Sequence, residues 1–443
     1  MPALKDNVAS TSGTNVSSLT LSSFTIASNS DRMLILLSGM GDAAGAQTHA
    51  NWSWNGSTSG FVESYDASQN GGFHSIGMAY LLNPTATTAN ASVDYSGGGG
   101  APCDEAFLAA LSYYNVHQTT PHSTVRNVAA PASGKAWVSC DGYTDGISIG
   151  FFWGNGSAAA VTDSIPDYIA VGSAVQSAGA TSLNPTSAPA GMQLGDWEYA
   201  SVATENNETI SVSGTGWVQI GSTVQQDSTW QVALFARLYD GSNVNPTFSW
   251  SSSVGCSARR WSIRDQKNTS AIGSHTTNSG NTSTHSITGQ NATANNSLFM
   301  YLSHAEANTA LGADADYSER FDAGSATGPY RLVVGDRDQA TSGAGSANFS
   351  ATGANASWVM RLVECLAGNT QTQETEIENI AGFDTGAIAS ETGQTYNQFG
   401  WTITGINGNG GMIAFGLNPA AAAADQFLPP LVMAAPVATG YAR

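Results

Sequence analysis

The hydrophobic residues of this chain fall into short, nearly continuous runs closed by Gly, Asn, Ser or Asp, and the runs recur in the same order three times. The first set is DRMLILLSG from Asp31, FHSIGMAYLL from Phe73 with ASVDYSGG beyond it, and EAFLAALSYYN from Glu105. The second is GDWEYASVAT from Gly195, TWQVALFARLYDGSNVNPTFSW from Thr229, and SARRWSIRDQ from Ser257. The third is NSLFMYLSH from Asn296, GPYRLVVGDRDQ from Gly328 with SANFSATG beyond it, and ASWVMRLVEC from Ala356. Runs of this length, rich in β-branched and aromatic residues and bounded by turn formers, predict strands. Period-two alternation in SLTLSSFTIA, where Leu19, Leu21, Phe24 and Ile26 recur across one register break, predicts a strand with one dry face. EAFLAALSYYN has the local propensity for a helix, but its counterparts in the other sets are β-like, so it is read as a strand. No stretch carries the period of a long amphipathic helix. The predicted fold class is all-β: tandem antiparallel β-sandwich (jelly-roll-like) domains with a C-terminal arm.

The expected organisation is an N-terminal arm over 1–14 and a first sandwich over 15–182, which holds the first set and a degenerate second half (AWVSC, GISIGFFWG, DYIAVGSAV). A second sandwich over 183–367 holds the other two sets as repeated halves, and a C-terminal segment covers 368–443. SLNPTSAPAG marks the middle boundary by its Pro, Ser and Ala content. Four smaller sandwiches are the competing division. The C-terminal segment opens polar and acidic (GNTQTQETEIENI) and closes Ala- and Pro-rich, and it reads as an arm that docks on the same chain or a neighbour.

Composition narrows the function classes. Only 11% of the 443 residues are charged, so polarity rests on Ser, Thr, Asn and 49 Gly. A hydrophobic content of 41% with 11 Trp argues against disorder. The net charge is −19 and the lysines are Lys5, Lys135 and Lys267 alone, which disfavours nucleic-acid binding and attraction to anionic membranes. No apolar run reaches the length that spans a bilayer. The first residues, MPALKDNVASTSG, hold no apolar segment of a secretory signal. A surface of extracellular type without an export signal suits a particle assembled in the cytoplasm and released by lysis, or a mature fragment. Cys103, Cys140, Cys256 and Cys365 form no CxxC pair; buried free thiols are favoured over disulfides.

Candidate chemistry is sparse. Gly146-Ile147-Ser148-Ile149-Gly150 matches the GxSxG form of a nucleophile elbow, but GISIGFFWG reads as one continuous strand with no helix after it. Asp314, Asp316, Glu319 and Asp322 in GADADYSERFD, near Asp336 and Asp338, are hard oxygen ligands in a loop and form a Ca²⁺ candidate without EF-hand spacing. Asp141 and Asp145 are a second, smaller one. Solvated acidic loops are the plainer reading of both clusters. The histidines show neither HExxH nor HxH. No catalytic set emerges and no other cofactor is implied.

From GDWEYASVATENNETISVSGTGWVQIG through ALFARLYDGSNVNPTFSW to ARRWSIR, the chain resembles a domain of tailed-bacteriophage structural proteins. That pattern runs GD, an apolar strand, GW, an aromatic or Arg strand, a DGS turn and TFxW. The residues that carry it are Gly195, Asp196, Gly216, Trp217, Arg237, Asp240, Gly241, Ser242, Thr247, Phe248 and Trp250. The likeness covers residues 185–270, the third set loosely and the first sandwich in outline. It departs at Trp197 and Glu198, which stand where the pattern has an aliphatic pair. Read as architecture, Asp240-Gly241-Ser242 is a turn, Arg237 seeks a carboxylate, and Trp217 and Trp250 fill the core; a sugar-stacking face is the alternative for the aromatics.

The resemblance implies a virion surface protein without catalytic residues, a head decoration, head fibre or tail fibre. Its expected partners are other virion proteins and copies of itself, with a host surface glycan as a weak ligand. A secreted bacterial carbohydrate-binding or adhesin module is the alternative, and a hydrolase ranks third.

Overall fold

The computed structural model describes residues 1–420 except 43–44, 46, 70–73, 98–101, 130–133, 156–157, 162–165, 228, 307–315, 325–330, 340–345, 353–355, 369–370, 381–383, 393–394 and 405–409. Among the described residues every regular element is a strand, and no helix is long and apolar enough to cross a membrane. The first unit holds β1 (Leu4–Val16), β2 (Ser18–Thr25), β3 (Met33–Gly41), β4 (Gln47–Trp54), β5 (Phe61–Gln69), β6 (His74–Leu82), β7 (Thr88–Gly97) and β8 (Cys103–Tyr114). Four strands open the second unit: β9 (Arg126–Ala129), β10 (Gly134–Asp141), β11 (Ile147–Asn155) and β12 (Ala158–Val161). The third holds β13 (Asp167–Leu183), β14 (Trp197–Glu205), β15 (Ser211–Ser213), β16 (Val218–Gln219), β17 (Val224–Gln226), β18 (Trp230–Leu238) and β19 (Thr247–Arg264). The fourth holds β20 (Ile272–Gly280), β21 (Thr284–Asn291), β22 (Ser297–Ala305), β23 (Ser318–Ala323), β24 (Arg331–Gln339), β25 (Ser346–Thr352) and β26 (Trp358–Cys365). The chain then returns to the second unit with β27 (Thr372–Ile380), β28 (Asp384–Thr392), β29 (Tyr396–Thr404) and β30 (Gly410–Leu417).

One winding serves all four units. In the first, a sheet ordered β1-β8-β3-β6-β5 faces a smaller one ordered β2-β7-β4, all antiparallel, which is the order of a jelly roll. The fourth repeats it as β20-β26-β22-β24-β23 facing β21-β25. In the third, β13 and β19, 17 and 18 residues long, each bend through both sheets, so that Asp167 pairs with Arg264 at one end and Leu183 with Phe248 at the other. The second unit reads β9-β30-β11-β28-β27 facing β10-β29-β12. The order matches the first once β27–β30 are taken as its fifth to eighth strands. The third and fourth units are therefore an insert between the fourth and fifth strands of the second.

These pairings place the boundaries elsewhere than the sequence suggests. From Leu4 onward the expected N-terminal arm over 1–14 belongs to β1, an edge strand registered along β8. The proposed cut near 182 falls at the end of β13, which belongs wholly with β19. Of the expected arm over 368–443, residues 372–417 supply half of the second sandwich, and 421–443 lie outside the described residues. The physical reason is that β11 (ISIGFFWGN) is apolar on both faces, and the neighbours that cover its edges, β28 and β30, lie more than two hundred residues further along the chain.

The continuous apolar runs have one cause. Alternate residues of the larger sheets face two different cores. In β3, Leu34, Leu36 and Met40 pack on the smaller sheet of their own unit with Trp52, Trp54 and Val93. Met33, Ile35 and Leu37 pack instead on Ile149, Phe151, Trp153, Ile413 and Phe415 of the second unit. The third and fourth units stack in the same way: Tyr199, Leu234, Trp261 and Ile263 meet Leu298, Met300, Leu302, Val334 and Val363. A strand buried on both faces has no wet positions, so alternation disappears from its sequence. Close approach sharpens the fit. The Trp153 indole lies where a side chain on Gly39 would project, 2.3 Å from its Cβ position, and Phe107 stands 2.8 Å from that of Gly386.

The insert starts and ends side by side: Leu366 donates to the Ala271 carbonyl at 2.8 Å and Gly368 to that of Asp265 at 2.8 Å, next to the Arg264–Asp167 pair. A fragment of residues 167–367 is expected to fold alone, giving a cooperative urea transition and a β-type circular dichroism spectrum; a soluble but unfolded fragment would contradict the division. Gly39→Val should destabilise the first pair of units by about 1–3 kcal/mol through overpacking against Trp153. Trp153→Ala should cost about 3–5 kcal/mol. Both are read from denaturant midpoints of the full chain.

Candidate functional site

The residues of the GD…GW…DGS…TFxW pattern converge at one end of the third unit, where it abuts the second. Gly195 takes φ +85°, and a Cβ there would lie 3.1 Å from Tyr396 of the second unit. The turn it makes drops Asp196 into a fully buried position. The Asp196 carboxylate accepts both Arg264 nitrogens at 2.8 Å, the Gln193 backbone amide at 2.7 Å and the Gln398 side-chain amide at 2.6 Å. Gln398 also donates to the Leu194 carbonyl and accepts from the Asp265 amide at 2.7 Å, so this one side chain of β29 binds the two units together. Asn268 adds a hydrogen bond to the Tyr396 carbonyl.

Arg237 organises the second half of the cluster. It is 2% exposed, and its guanidinium donates to Asp240 at 2.9 Å, to the Ser242 carbonyl at 2.6 Å and to the Val244 carbonyl at 3.2 Å. Asp240 in turn accepts the Ser242 amide at 3.0 Å, and Gly241 takes φ +89°, the turn geometry expected of Asp-Gly-Ser. These bonds to Ser242 hold the Asp240 carboxyl below its ordinary range, with Arg237 adding to the effect. Gly216, at φ +85°, faces the Arg237 stem. Trp217 and Trp250 are 6% and 7% exposed, and Trp217 meets Phe248 edge-on at 6.5 Å, so the aromatics fill the sandwich and do not form an open sugar-stacking face. Trp250 donates its indole N–H to the Ala180 carbonyl at 2.8 Å.

The departure at Trp197 and Glu198 has a structural counterpart. Glu198 is buried against Arg260, which also donates to the Pro185 carbonyl and the Asn245 side chain at 2.8 Å. Burial pushes the Glu198 carboxyl up despite Arg260 and Arg237 beside it, and burial likewise pulls the Arg260 guanidinium down. Trp197 donates to the Lys267 carbonyl at 2.8 Å. An ion pair therefore stands where two aliphatic side chains are expected. Gln398, Arg264 and Arg260 carry no signal as site residues in the sequence, because their partners are reached only through the fold.

The acidic loop is distributed among arginines. Asp322 pairs with Arg331, Asp336 with Arg320 at 2.8 Å, and Asp316 with Arg337 at 3.9 Å. Burial pushes the Glu319 carboxyl up, and Asp322 adds to this. Asp314 lies outside the described residues. Among the described residues no three His, Cys, Asp or Glu side chains come together in a way that could hold a metal ion. Asp141 pairs with Arg126 at 3.1 Å, and Asp145 sits in the turn before β11 at φ +61°. Ser148 is buried inside β11 and accepts a hydrogen bond from Asn397 at 2.6 Å, so the GxSxG match is strand and not elbow. All four cysteines are free and buried, and burial pushes their thiols up, to about 12 for Cys103 and Cys365 and about 11 for Cys256.

The contact between the third and fourth units includes buried polar groups. Ser201 and His304 share a hydrogen bond of 2.7 Å in it, and Arg361 donates to the Ile220, Ser222 and Val232 carbonyls. Burial, then Arg361, lowers the His304 imidazole to about 3, and burial lowers His285 to about 4. Glu364 is buried, which raises its carboxyl, but hydrogen bonds from Ser274, Thr293 and Ser297 outweigh this and hold it below its ordinary range.

In the unfolded chain both imidazoles take up protons below 6.5, whereas in the fold they stay neutral down to about 4 and 3. The unfolded state therefore binds more protons in that window, and stability falls as pH falls through it; the depressed Glu364 acts in the same direction at lower pH. The urea midpoint of the 167–367 fragment should drop steadily from pH 7 to pH 4.5. His304→Gln should flatten the slope, and an unchanged slope in that variant would contradict the assignment. Asp196→Asn should destabilise the full chain by about 3–5 kcal/mol, because it leaves Arg264 buried without its counter-charge, while Asp316→Asn at the exposed loop should stay within about 0.5 kcal/mol.

Compared with protein-family models, with curated proteins and with solved structures, the chain matches none of them.

Proposed function

We propose that the chain is a non-catalytic structural protein of the bacteriophage particle surface, a head decoration, head fibre or tail fibre, that assembles in the host cytoplasm and leaves by lysis. The observation that carries this reading is the use to which the resemblance residues are put. Asp196 with Arg264, Arg237 with Asp240 and Ser242, and Trp217 with Phe248 are devices for holding turns and sheets together. The repetition of one sandwich winding four times in one chain, stacked in pairs through the same sheet, also suits a building element. The outward faces fit display in water with little charge: Thr25 with Thr88 and Ser53 with Ser92 form hydrogen-bonded pairs across β2, β7 and β4.

Assembly would use the sheet edges and the segment 421–443, which continues from Ala420, itself bonded to the Asn115 carbonyl. Many copies on one particle would let weak host-glycan contacts act together. Immunogold labelling of particles from the source lysate tests the reading: label on heads or tails is expected, and a chain found only free of particles would favour a secreted carbohydrate-binding module instead. Deleting 421–443 should abolish incorporation into particles while leaving the urea transition unchanged; normal incorporation would remove that segment from the mechanism.

A further inference from the structure

An apolar groove of about 300 Å³ opens at the joint of the first and second units, between the start of β1 and the turn into β11. Pro2, Ala3 and Leu4 line it from the first unit, and Ile147 and Thr392 from the second. Its two sides are fixed to each other, because the Ala3 amide donates to the Asp145 carbonyl at 3.0 Å. Asn115 steadies the Pro2 end by donating to the Pro2 carbonyl at 3.2 Å. Among the described residues, Met1, Leu4, Val62 and Val218 are the large apolar side chains that stay well exposed. Leu4 lines this groove and Met1 adjoins its Pro2 end, so half of that exposed apolar set gathers at one place.

The described chain ends at the same place. Asn418 donates its amide to the Pro121 carbonyl at 2.9 Å and accepts from the His117 amide at 2.9 Å, and the Ala420 amide donates to the Asn115 carbonyl at 2.6 Å. The Ala420 carbonyl accepts from the Met1 nitrogen at 3.3 Å. Residues 421–443 therefore set out from the lip of the groove. Their sequence is AAAADQFLPPLVMAAPVATGYAR, with no charged residue from Phe427 to Ala442. Phe427 is within about 25 Å of Ala420 along an extended chain, so the apolar run FLPPLVM begins within reach. Pro429 and Pro430 have no backbone N–H to give a sheet edge and are already set for an extended path, which suits insertion of side chains into an apolar groove better than strand addition. A tether this short supplies an effective concentration on the order of millimolar, so modest contact keeps the groove filled, and a neighbouring copy would have to displace a tethered segment. We propose that the run Phe427–Met433 docks into the groove beside Leu4 and Ile147 of its own chain and covers the exposed Leu4 and Met1 side chains. The contact forms in the free chain and does not depend on the particle reading. Being small, it opens in dilute urea before the sandwiches unfold, and the urea midpoint does not report it.

The test uses the full chain at low concentration with one added cysteine pair at a time, which the four buried native thiols do not disturb. One cysteine is Thr392→Cys, at an exposed position on the groove, and the other flanks the apolar run as Gln426→Cys or Ala434→Cys. Oxidation is expected to close a disulfide within one chain for at least one of these pairs. Closure should be about tenfold or more faster than with Val62→Cys in place of Thr392→Cys, Val62 being exposed on the opposite edge of the sheet that β1 begins. Leu4→Asp, which puts a charge on an exposed groove residue, should slow closure by about tenfold. Equal rates for Thr392→Cys and Val62→Cys, closure that Leu4→Asp leaves unchanged, or a disulfide formed only between two chains would overturn the proposal, the last by giving the groove to a neighbouring copy. Urea midpoints equal to the parent show that the variants fold. Particle labelling is read separately: a chain that labels virions without the cross-link loses this contact alone, and a chain that cross-links but is absent from virions loses the particle reading alone.

Discussion

Coverage of the larger sheet on both faces is the constraint on which the rest of this structure depends. A single jelly roll leaves the outer face of each sheet to solvent. Here the outer face of the larger sheet is as apolar as the inner one, with Met33, Ile35 and Leu37 on one side and Leu34, Leu36 and Met40 on the other. No unit can satisfy that face alone, so the units must come in stacked pairs. The first unit closes on the second, the third on the fourth, and each pair becomes four sheets deep. The insert topology follows from the same need. The second unit's β11 is completed by β28 and β30, which arrive only after both inserted units have been traversed. The two ends of the insert lie close together, because Asp167 pairs with Arg264 and the chain at Leu366–Gly368 bonds to Asp265 and Lys267 just beyond it.

Charge is sparse, and part of it serves the joints between units. Asp196 with Arg264 and Gln398 fixes the third unit to the second, Arg361 fixes the fourth to the carbonyls of the third, and Lys5 of β1 reaches Glu374 of β27 between the first and second. Hydrogen bonds from several directions make such buried groups tolerable, and removal of any one partner leaves the rest exposed to a desolvation cost. The first pair joins its aliphatic and aromatic packing to Lys5–Glu374 and Ser64–His122, while the second joins Ser201–His304 and Arg361 to its apolar contacts. Acid acts on the inserted pair through His304 and His285, and on the first pair through His122, whose imidazole burial also lowers.

Strands were legible wherever burial on both faces produced a continuous run, as in MLILL, LFMYL and WVMRLV, and the β reading of EAFLAALSYYN holds in β8. The all-β sandwich class was legible for the same reason. The division into units was not, because a strand's sequence records that its edges are covered but not by which segment. DYIAVGSAV looked like a partner of its neighbours in the chain, and β13 instead pairs with β19, from Asp167 opposite Arg264 to Leu183 opposite Phe248. At the candidate cluster, the turn residues Gly195, Asp240 and Gly241 announced themselves through local backbone chemistry. Gln398 and Gln193 did not, since an amide in a strand or loop gains meaning only from what the fold brings within hydrogen-bonding distance.

The central claim is that the larger sheets are the doubly covered interior of two stacked pairs. Hydrogen exchange measured by mass spectrometry on the intact chain tests it most directly. The account predicts that amides of β3, β8, β11, β14, β22 and β26 are the last to exchange and that those of β2, β4, β7 and β21 exchange well before them. Equal protection of the larger and smaller sheets, or slower exchange in the smaller ones, would contradict it.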